Sequence, residues 1–159
     1  MTESELRRWG RAIGEGIGVP VFVGLRGELG AGKSVLARAI ARGAGVEGNL
    51  PSPTFNLLFR YSAERDGEEI HVVHMDLYRL LEADEVWELG WEENLGRHQI
   101  VLVEWPERAQ ELLPTDRWEV ELKPVAGEPL LREVEVTRVG APPDLPAFPL
   151  TVDAGGDRR

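Results

Sequence analysis

The chain of 159 residues contains no cysteine, which excludes disulfide bonds and thiolate metal sites. It also lacks any apolar run close to the ~20 residues that a membrane-spanning helix needs. The first residues do not show the basic and then apolar layout of a signal peptide. We therefore expect a cytoplasmic protein that makes no use of a membrane.

Basic residues are scarce relative to acidic ones. The chain has 18 Lys and Arg against 28 Asp and Glu, a formal net charge of −10. This balance argues against broad, sequence-independent binding to nucleic acid, although it leaves room for a small basic patch. Lys33 and Lys123 are the only lysines, so a lysine inside a motif stands out. With 42% hydrophobic and 29% charged residues, the composition is that of a soluble globular domain with a real core.

The most informative feature present is the stretch from Gly27 to Ser34, GELGAGKS, which fits the phosphate-binding pattern G-x-x-x-x-G-K-[ST]. Its glycines permit φ > 0 and a close approach of the backbone to a ligand. Exposed backbone N–H groups in such a loop cup phosphate oxygens. Lys33 supplies a charge for the β- and γ-phosphates, and Ser34 offers a hydroxyl oxygen to Mg²⁺.

The residues on both sides of this loop support the motif. The apolar stretch 19–25 predicts a buried strand, and residues 34–42 have helical spacing with Gly43 as a stop. A strand, a glycine loop and a helix together aim a helix N-terminus at an anion. This order predicts an α/β fold: a single P-loop NTPase-type domain with a mixed central sheet flanked by helices.

The other segments extend that prediction. Thr2 and Glu5 have capping-box spacing at the start of a first amphipathic helix. We predict strands over 54–61, 69–75, 100–103, 118–122 and 134–139, a turn over 63–67 and a turn over 126–129. Residues 76–96 are predicted as helical or irregular, and 107–113 as a short helix. We assign residues 1–139 to the P-loop domain and 140–159 to a flexible tail rich in proline and glycine.

Two acids follow predicted strands and are candidates to complete a nucleotide site. Glu104 follows the apolar run 100–103, and Asp76 follows the run 71–75. Ligands of open α/β sheets bind outside the carboxyl ends of the strands, so both acids face the phosphates. We assign Glu104 to Mg²⁺, directly or through water, and Asp76 to orienting or deprotonating the attacking water. The alternative for each is a solvated residue at a strand end.

Three further features of the sequence can each be interpreted in two ways. Thr54, after Pro53, either reaches Mg²⁺ or the γ-phosphate when a loop closes, or simply enters a strand. Trp105 either forms an aromatic wall beside the nucleotide or packs in the core. We interpret His71 and His74 as packing or surface groups, because no Cys and no third His lie nearby.

Four motifs in this order resemble one family. They are GELGAGKS, then SPTF at 52–55, HMDLYRL at 74–80, and VEWPE at 103–107. The chain resembles the bacterial TsaE (YjeE) family from about residue 4 to residue 139. The resemblance implies a P-loop ATPase needed to form the threonylcarbamoyl group on adenosine 37 of tRNAs that read codons starting with A. It implies ATP and Mg²⁺ as cofactors, TsaD-like and TsaB-like partners, and contact with tRNA only through that complex.

The resemblance also implies roles for individual residues. Lys33 is the phosphate lysine, Ser34 and Glu104 hold Mg²⁺, and Thr54 and Asp76 lie on the γ-phosphate side, so that Lys33, Asp76 and Thr54 are the catalytic set. Relatives often carry a Thr in the first helix near the nucleotide, and Leu6 takes that place here. The nucleotide-binding set is Glu28, Leu29, Gly30, Ala31, Gly32, Lys33, Ser34, Val35 and Arg132.

Two other functions remain as alternatives. A small-molecule P-loop kinase would need a lid with arginines and an acceptor pocket, and no lid is evident in the sequence. A GTP-driven switch would need a guanine-selecting element, and no Asn-Lys-x-Asp sequence is present. No arginine finger is evident in cis, a group worth about 10³–10⁵ in rate where it exists, so we expect slow hydrolysis by the isolated chain.

Overall fold

A computed structural model describes residues 1–50 and 57–146. These residues form two α-helices, six β-strands and four short 3₁₀ helices. The helices are α1 (Glu3–Gly16) and α2 (Lys33–Gly43). The strands are β1 (Val21–Gly27), β2 (Leu58–Arg65), β3 (Glu68–Asp76), β4 (Gln99–Glu104), β5 (Arg117–Val125) and β6 (Glu128–Val139).

The strands form one mixed sheet in the order β2-β3-β4-β1-β5-β6. The four inner strands are parallel neighbours, and an antiparallel hairpin closes each edge. β1 lies between β4 and β5, so the loop after β1 leaves the sheet beside the carboxyl end of β4. The predicted α/β domain with a mixed central sheet is confirmed.

Alternation along the inner strands places a core on each face of the sheet. Val23 and Leu102 face α1 and α2, whereas Phe22 and Val103 face the segment between β3 and β5. That segment covers the second face with short 3₁₀ turns such as Ala83–Leu89 rather than with an α-helix. Residues 76–96 thus combine short 3₁₀ turns with irregular backbone, which agrees with the prediction of a helical or irregular segment. The short helix predicted over 107–113 is instead two 3₁₀ turns.

The two α-helices lie against each other through glycines. A Cβ on Gly10 would lie 2.6 Å from Ala39 Cβ, and a Cβ on Gly14 would lie 1.9 Å from the Ile40 carbonyl oxygen. α1 begins with the predicted capping box, in which Glu5 N–H donates to Thr2 Oγ1 at 3.3 Å and Thr2 N–H donates to Glu5 Oε2 at 2.6 Å. Close backbone contact fixes α1 beside the C-terminal half of α2.

Both hairpins have tighter turns than predicted. Strands β3, β5 and β6 are longer than predicted, and β2 ends at Arg65 rather than at residue 61. The first turn is confined to Asp66 and Gly67, both with positive φ, so the turn predicted over 63–67 was too long. The second turn is confined to residues 126 and 127, and β6 begins at Glu128 rather than at residue 134. The longer β6 matters because it brings Arg132 into the sheet opposite Pro124.

The predicted tail is described up to residue 146. Within 140–146, the Pro143 carbonyl accepts from Trp118 Nε1 at 2.7 Å, and Asp144 pairs with Arg138 at 3.1 Å. The division into a domain over 1–139 and a tail over 140–159 stays a prediction. No helix in the described residues is long and apolar enough to span a membrane.

Candidate nucleotide-binding site

The glycine loop connects β1 to α2 in the way the sequence predicts. Gly27, Gly30 and Gly32 all have positive φ, at 142°, 80° and 111°. At Gly27 a Cβ would lie 2.6 Å from the Leu122 carbonyl oxygen, so this glycine lets the loop start against β5. Gly32 is the left-handed N-cap of α2, where any other residue would strain the turn that opens the helix. The loop thus places the N-terminus of α2 at the carboxyl end of the sheet.

Lys33 lies inside the loop and is 4% exposed. Its Nζ donates to the Gly27 carbonyl at 2.6 Å and to the Glu28 carbonyl at 2.8 Å. Burial lowers the pKa of Lys33, and the carboxylates of Glu104 and Asp76 oppose that shift. The ammonium is therefore held over the loop by main-chain oxygens and faces two acids.

Ser34 and Glu104 meet beside the loop. Ser34 Oγ lies 2.9 Å from Glu104 Oε1 and 3.0 Å from Oε2. Glu104 ends β4 and is 3% exposed. A hydroxyl and a carboxylate at this separation are two adjacent hard oxygen donors, which is what Mg²⁺ takes from a protein when phosphates and water supply its other ligands.

His74 is a contact residue that the sequence interpretation missed. Its Nε2 lies 2.7 Å from Glu104 Oε2, and both side chains are almost fully buried. Because a carboxylate only accepts, Nε2–H is the donor. His74 and His71 are three residues apart on β3 and so point to opposite faces: His71 is partly exposed beside Glu69, at 3.2 Å. His74 is thus neither a surface group nor simple packing, because it fixes the Glu104 carboxylate.

Asp76 ends β3 directly beside Glu104, its register partner on β4. Asp76 Oδ1 accepts from Tyr78 N–H at 3.0 Å, which orients the carboxyl group. Burial raises the pKa of Asp76, and the Glu104 carboxylate adds to the rise. A raised pKa makes Asp76 a better proton acceptor than an ordinary surface aspartate.

A cleft of about 460 Å³ opens over these groups. Its lining includes most of the predicted nucleotide-binding residues: Leu29, Gly30, Gly32, Lys33, Ser34, Val35 and Arg132. Glu28 and Ala31 contribute their main chains, since the Glu28 carbonyl accepts from Lys33 and the Ala31 carbonyl accepts from Arg132 Nε at 2.6 Å. The loop prediction and the cleft therefore coincide.

Arg132 reaches the cleft from the far edge of the sheet. β6 is tied to the N-terminus by Met1 N, which donates to the Arg132 carbonyl at 2.7 Å, and by Arg132 N, which donates to the Met1 carbonyl at 2.9 Å. The Arg132 guanidinium lies against Gly32, because a Cβ on Gly32 would be 3.0 Å from Arg132 Nε. Leu6 lies 3.1 Å from the same point and is fully buried, so α1 gives the loop an apolar support there.

Aromatic side chains form one wall of the cleft. Lys33 Nζ lies 4.6 Å from the ring centroid of Trp105, and the Tyr78 ring lies 5.0 Å from the Trp105 ring. Trp105 has left-handed backbone angles, φ 58° and ψ 51°, which are unusual for a bulky residue and turn its ring toward the cleft. Both interpretations of Trp105 apply, because its side chain lines the cleft and also packs against the core on the second face of the sheet. Arg79 also lines the cleft and was not among the predicted site residues.

The site residues fit Mg²⁺ bound with a polyphosphate. Within residues 1–50 and 57–146, no three or more His, Asp or Glu side chains form a metal-binding group. Mg²⁺ in nucleotide sites takes one or two protein oxygens and leaves its other positions to phosphate and water. The pair Ser34 and Glu104 matches that mode. Thr54 lies outside the described residues, so its role stays a prediction.

Comparisons with known proteins identify the family of the chain. A family model described as "Threonylcarbamoyl adenosine biosynthesis protein TsaE" matches residues 1–132. The chain belongs to the TsaE family. Membership covers the glycine loop, both acids and Arg132, so every described element of the cleft lies within the matched range.

Individual relatives extend the comparison. The chain is 39% identical over 94 residues to the "tRNA threonylcarbamoyladenosine biosynthesis protein TsaE" of Haemophilus influenzae, an alignment that covers 59% of this chain and 57% of that protein. It is 37% identical over 123 residues to the protein of the same name from Rickettsia bellii, covering 77% and 82%. The crystal structure of Bacillus subtilis YdiB superposes with a TM-score of 0.63 at 26% identity, covering 88% of this chain and 82% of that one.

Proposed function

We propose that this chain is a Mg²⁺-dependent ATPase that serves threonylcarbamoyladenosine formation on tRNA. The family and the names of its relatives support the pathway, and the cleft supports nucleotide binding. We further propose that residues 1–139 form the ATPase domain and that it works in the cytoplasm with TsaD-like and TsaB-like partners, meeting tRNA through that complex.

One observation supports the ATPase proposal above the others: Ser34 Oγ lies 2.9 Å from Glu104 Oε1, at the opening of a glycine loop that holds Lys33. The loop amides and the N-terminus of α2 bind phosphate oxygens, and Lys33 neutralises their charge. A Mg²⁺ ion at this site would supply positive charge that favours the build-up of negative charge on the phosphates. Ser34 and Glu104 would hold it, and His74 keeps the Glu104 carboxylate turned toward Ser34.

Asp76 is the proposed base or orienting group for the attacking water. It lies beside Glu104 at the carboxyl end of the sheet and lines the same cleft. Burial raises its pKa, which suits a group that accepts a hydrogen bond from water and takes its proton as the bond to phosphorus forms. The Tyr78 amide keeps one Asp76 oxygen occupied, so the other is available for the water.

The isolated chain is expected to hydrolyse ATP slowly. Arg132 Nε donates to the Ala31 carbonyl, so this nitrogen supports the loop and is not available to a phosphate. Faster turnover then requires partners that complete or rearrange the site. A group added in trans raises rates by about 10³–10⁵ in other P-loop proteins.

The two lysines give a matched experiment. Lys33→Met removes the phosphate lysine, whereas Lys123→Met removes an exposed lysine that pairs with Glu121 and Glu135 on the surface of the sheet. Both variants would be tested for ATP hydrolysis and for restoring threonylcarbamoyladenosine in cells depleted of this protein. We expect Lys123→Met to behave as wild type and Lys33→Met to fail in both assays.

The same preparation separates the alternatives. Transfer of labelled phosphate to an added small molecule in place of water would favour a kinase, and strong preference for GTP over ATP would favour a GTP switch. Equal activity of Lys33→Met and wild type in both assays would contradict the proposal.

A further inference from the structure

Four arginines line a groove on the outer surface of the helix pair. Arg7 and Arg11 lie four residues apart on α1, and Arg38 and Arg42 lie four residues apart on α2. Residues at this spacing share a helix face, so each helix contributes one arginine pair. The four side chains, which we call the arginine groove, line a concavity of about 240 Å³ with Ala39, Asn49 and Leu50.

Close packing of the helices brings the two pairs together. A Cβ on Gly43 would lie only 2.1 Å from the Arg11 carbonyl oxygen, so the backbones of α1 and α2 are in contact beside the groove. Side chains longer than glycine at this contact would spread the helices and separate the arginine pairs. The fold therefore fixes the separation of the two helices that carry the arginine pairs.

The groove carries more positive charge than its acidic neighbours balance. Arg7 pairs with Glu3 at 2.7 Å on the exposed surface. Arg42 donates to the carbonyls of Val46 and Gly48, which are uncharged acceptors. In the part of the chain that the structure describes, Arg11 and Arg38 have no carboxylate within 4.0 Å. Such a concentration is unusual in a chain of net charge −10.

We propose that the arginine groove binds the phosphate backbone of RNA. The proposal rests on the proposed role in tRNA modification and adds a direct contact with the RNA to it. Arginine is the side chain best matched to phosphate, because its planar guanidinium donates two parallel hydrogen bonds to two oxygens. Four of them along two helices suit a chain of repeated phosphates better than a single small anion.

The chemistry of the lining favours RNA over an acidic protein. Stable protein interfaces have a desolvated centre of aromatic and aliphatic side chains. Among the residues that the structure describes, those that line the groove include no aromatic side chain, and their one large apolar member, Leu50, is only 7% exposed. The accessible surface of the groove is mainly guanidinium and amide, which is the composition of a phosphate-contacting surface.

The groove also lies next to the nucleotide cleft. Glu3 lines the cleft and at the same time pairs with Arg7, which lines the groove. Only the Glu3–Arg7 ion pair would therefore separate RNA bound in the groove from the nucleotide cleft. The rest of the acidic surface would repel RNA, so we expect weak binding that depends strongly on salt.

The test is the salt dependence of binding to a fluorescently labelled tRNA, measured by anisotropy between 20 and 200 mM KCl. Each neutralised phosphate contributes about −0.7 to −0.9 to the slope of log K against log salt. Four arginines therefore predict a slope of about −3. The double variant Arg11→Gln/Arg38→Gln should reduce the size of that slope by about 1.5 and weaken binding at 50 mM salt at least tenfold.

The matched control is Arg97→Gln/Arg108→Gln, which removes two exposed arginines outside the groove. It should leave the slope within about 0.3 of wild type, and circular dichroism should show both doubles folded. ATP affinity is measured on the same samples, so loss of RNA binding with normal ATP binding is distinguished from failure of the proposed ATPase.

Three results would overturn the groove assignment. One is no tRNA binding by wild type at 20 mM KCl. Another is an equal loss of slope in the two double variants. The third is competition by poly-glutamate as effective as competition by unlabelled tRNA at equal charge, which would indicate an acidic protein partner instead.

Discussion

Replacing His74 with leucine tests whether this residue holds the Glu104 carboxylate. The side chains of His74 and Glu104 are 3% and 4% exposed, and their polar atoms are 2.7 Å apart. Leucine removes the donor and fills the space with apolar atoms, so the carboxylate keeps only the Ser34 hydroxyl among its side-chain partners in the described residues. A buried charge that loses one partner is strongly unfavourable because protein replaces the water that would solvate it.

The expected size follows from that burial. Leaving a buried acceptor without its donor costs about 1–3 kcal/mol and more when the acceptor is charged, so the near-complete burial of the Glu104 carboxylate argues for about 3 kcal/mol. For a domain of about 150 residues, each kcal/mol shifts Tm by about 2–4 °C. His74→Leu should therefore lower Tm by about 6–12 °C. Mg²⁺ with a nonhydrolysable ATP analogue should recover part of the loss, because the metal gives Glu104 a positive partner.

Thermal unfolding followed by circular dichroism measures the effect, with and without Mg²⁺ and the analogue. The control is His71→Leu on the same strand, where the histidine is partly exposed and lies 3.2 Å from Glu69. A partly exposed contact of this kind is worth up to about 1 kcal/mol, so Tm should move by no more than about 4 °C. Equal Tm values for wild type and His74→Leu would refute the reasoning.

The remaining predictions concern phosphate, water and helix contact. Lys33→Met should raise the Kd for ATP about 10- to 100-fold, measured by calorimetry, because a charged hydrogen bond contributes about 1.5–3 kcal/mol; unchanged affinity would exclude Lys33 from the site. Asp76→Asn should lower turnover about 10²-fold. It should also raise Tm at pH 7, because burial raises the Asp76 pKa and ionisation of this group therefore favours the unfolded state. This gain should fade as the pH falls to the ordinary aspartate range near ~4, because the ionised form is then lost from the unfolded state as well. A lower Tm at pH 7 would contradict the prediction. Gly14→Ala should lower the free energy of unfolding by about 3 kcal/mol, because the new Cβ would lie 1.9 Å from the Ile40 carbonyl oxygen. The control Gly16→Ala places its Cβ where no atom lies within 4 Å and should raise the free energy of unfolding by up to ~1 kcal/mol. Equal urea midpoints for the two variants would count against the described helix contact.

The sequence was most informative where local chemistry decides the structure. The glycine loop, the strand before it and the helix after it follow from spacing and glycine conformational preference, and the three loop glycines have the positive φ that was expected. Glu104 and Asp76 were placed correctly at strand ends because parallel strands bring their carboxyl ends to one edge. These predictions needed no knowledge of the strand order.

Contacts between distant segments were harder to predict. His74 became part of the site because β3 and β4 are neighbours and both side chains face α2, which spacing within β3 alone does not reveal. Noting that His71 and His74 are three apart, and so on opposite faces of a strand, would have separated them. Arg132 depends on β6 starting at Glu128, and Pro129 concealed that start by favouring a turn.

The arginine groove shows the same limit on a larger scale. Each arginine pair is visible in the sequence as an i, i+4 repeat, but only the contact of α1 with α2 places the pairs side by side. Net charge, averaged over the chain, hid the concentration of positive charge on the helix pair.

The most direct test of the central claim is a crystal structure with Mg²⁺ and a nonhydrolysable ATP analogue. The account predicts phosphates against residues 28–34, Lys33 Nζ turned to the β- and γ-phosphates, and Mg²⁺ about 2.1 Å from Ser34 Oγ, with Glu104 as a direct or water-bridged ligand. An analogue bound away from the glycine loop, or a metal that contacts neither Ser34 nor Glu104 even through water, would contradict it.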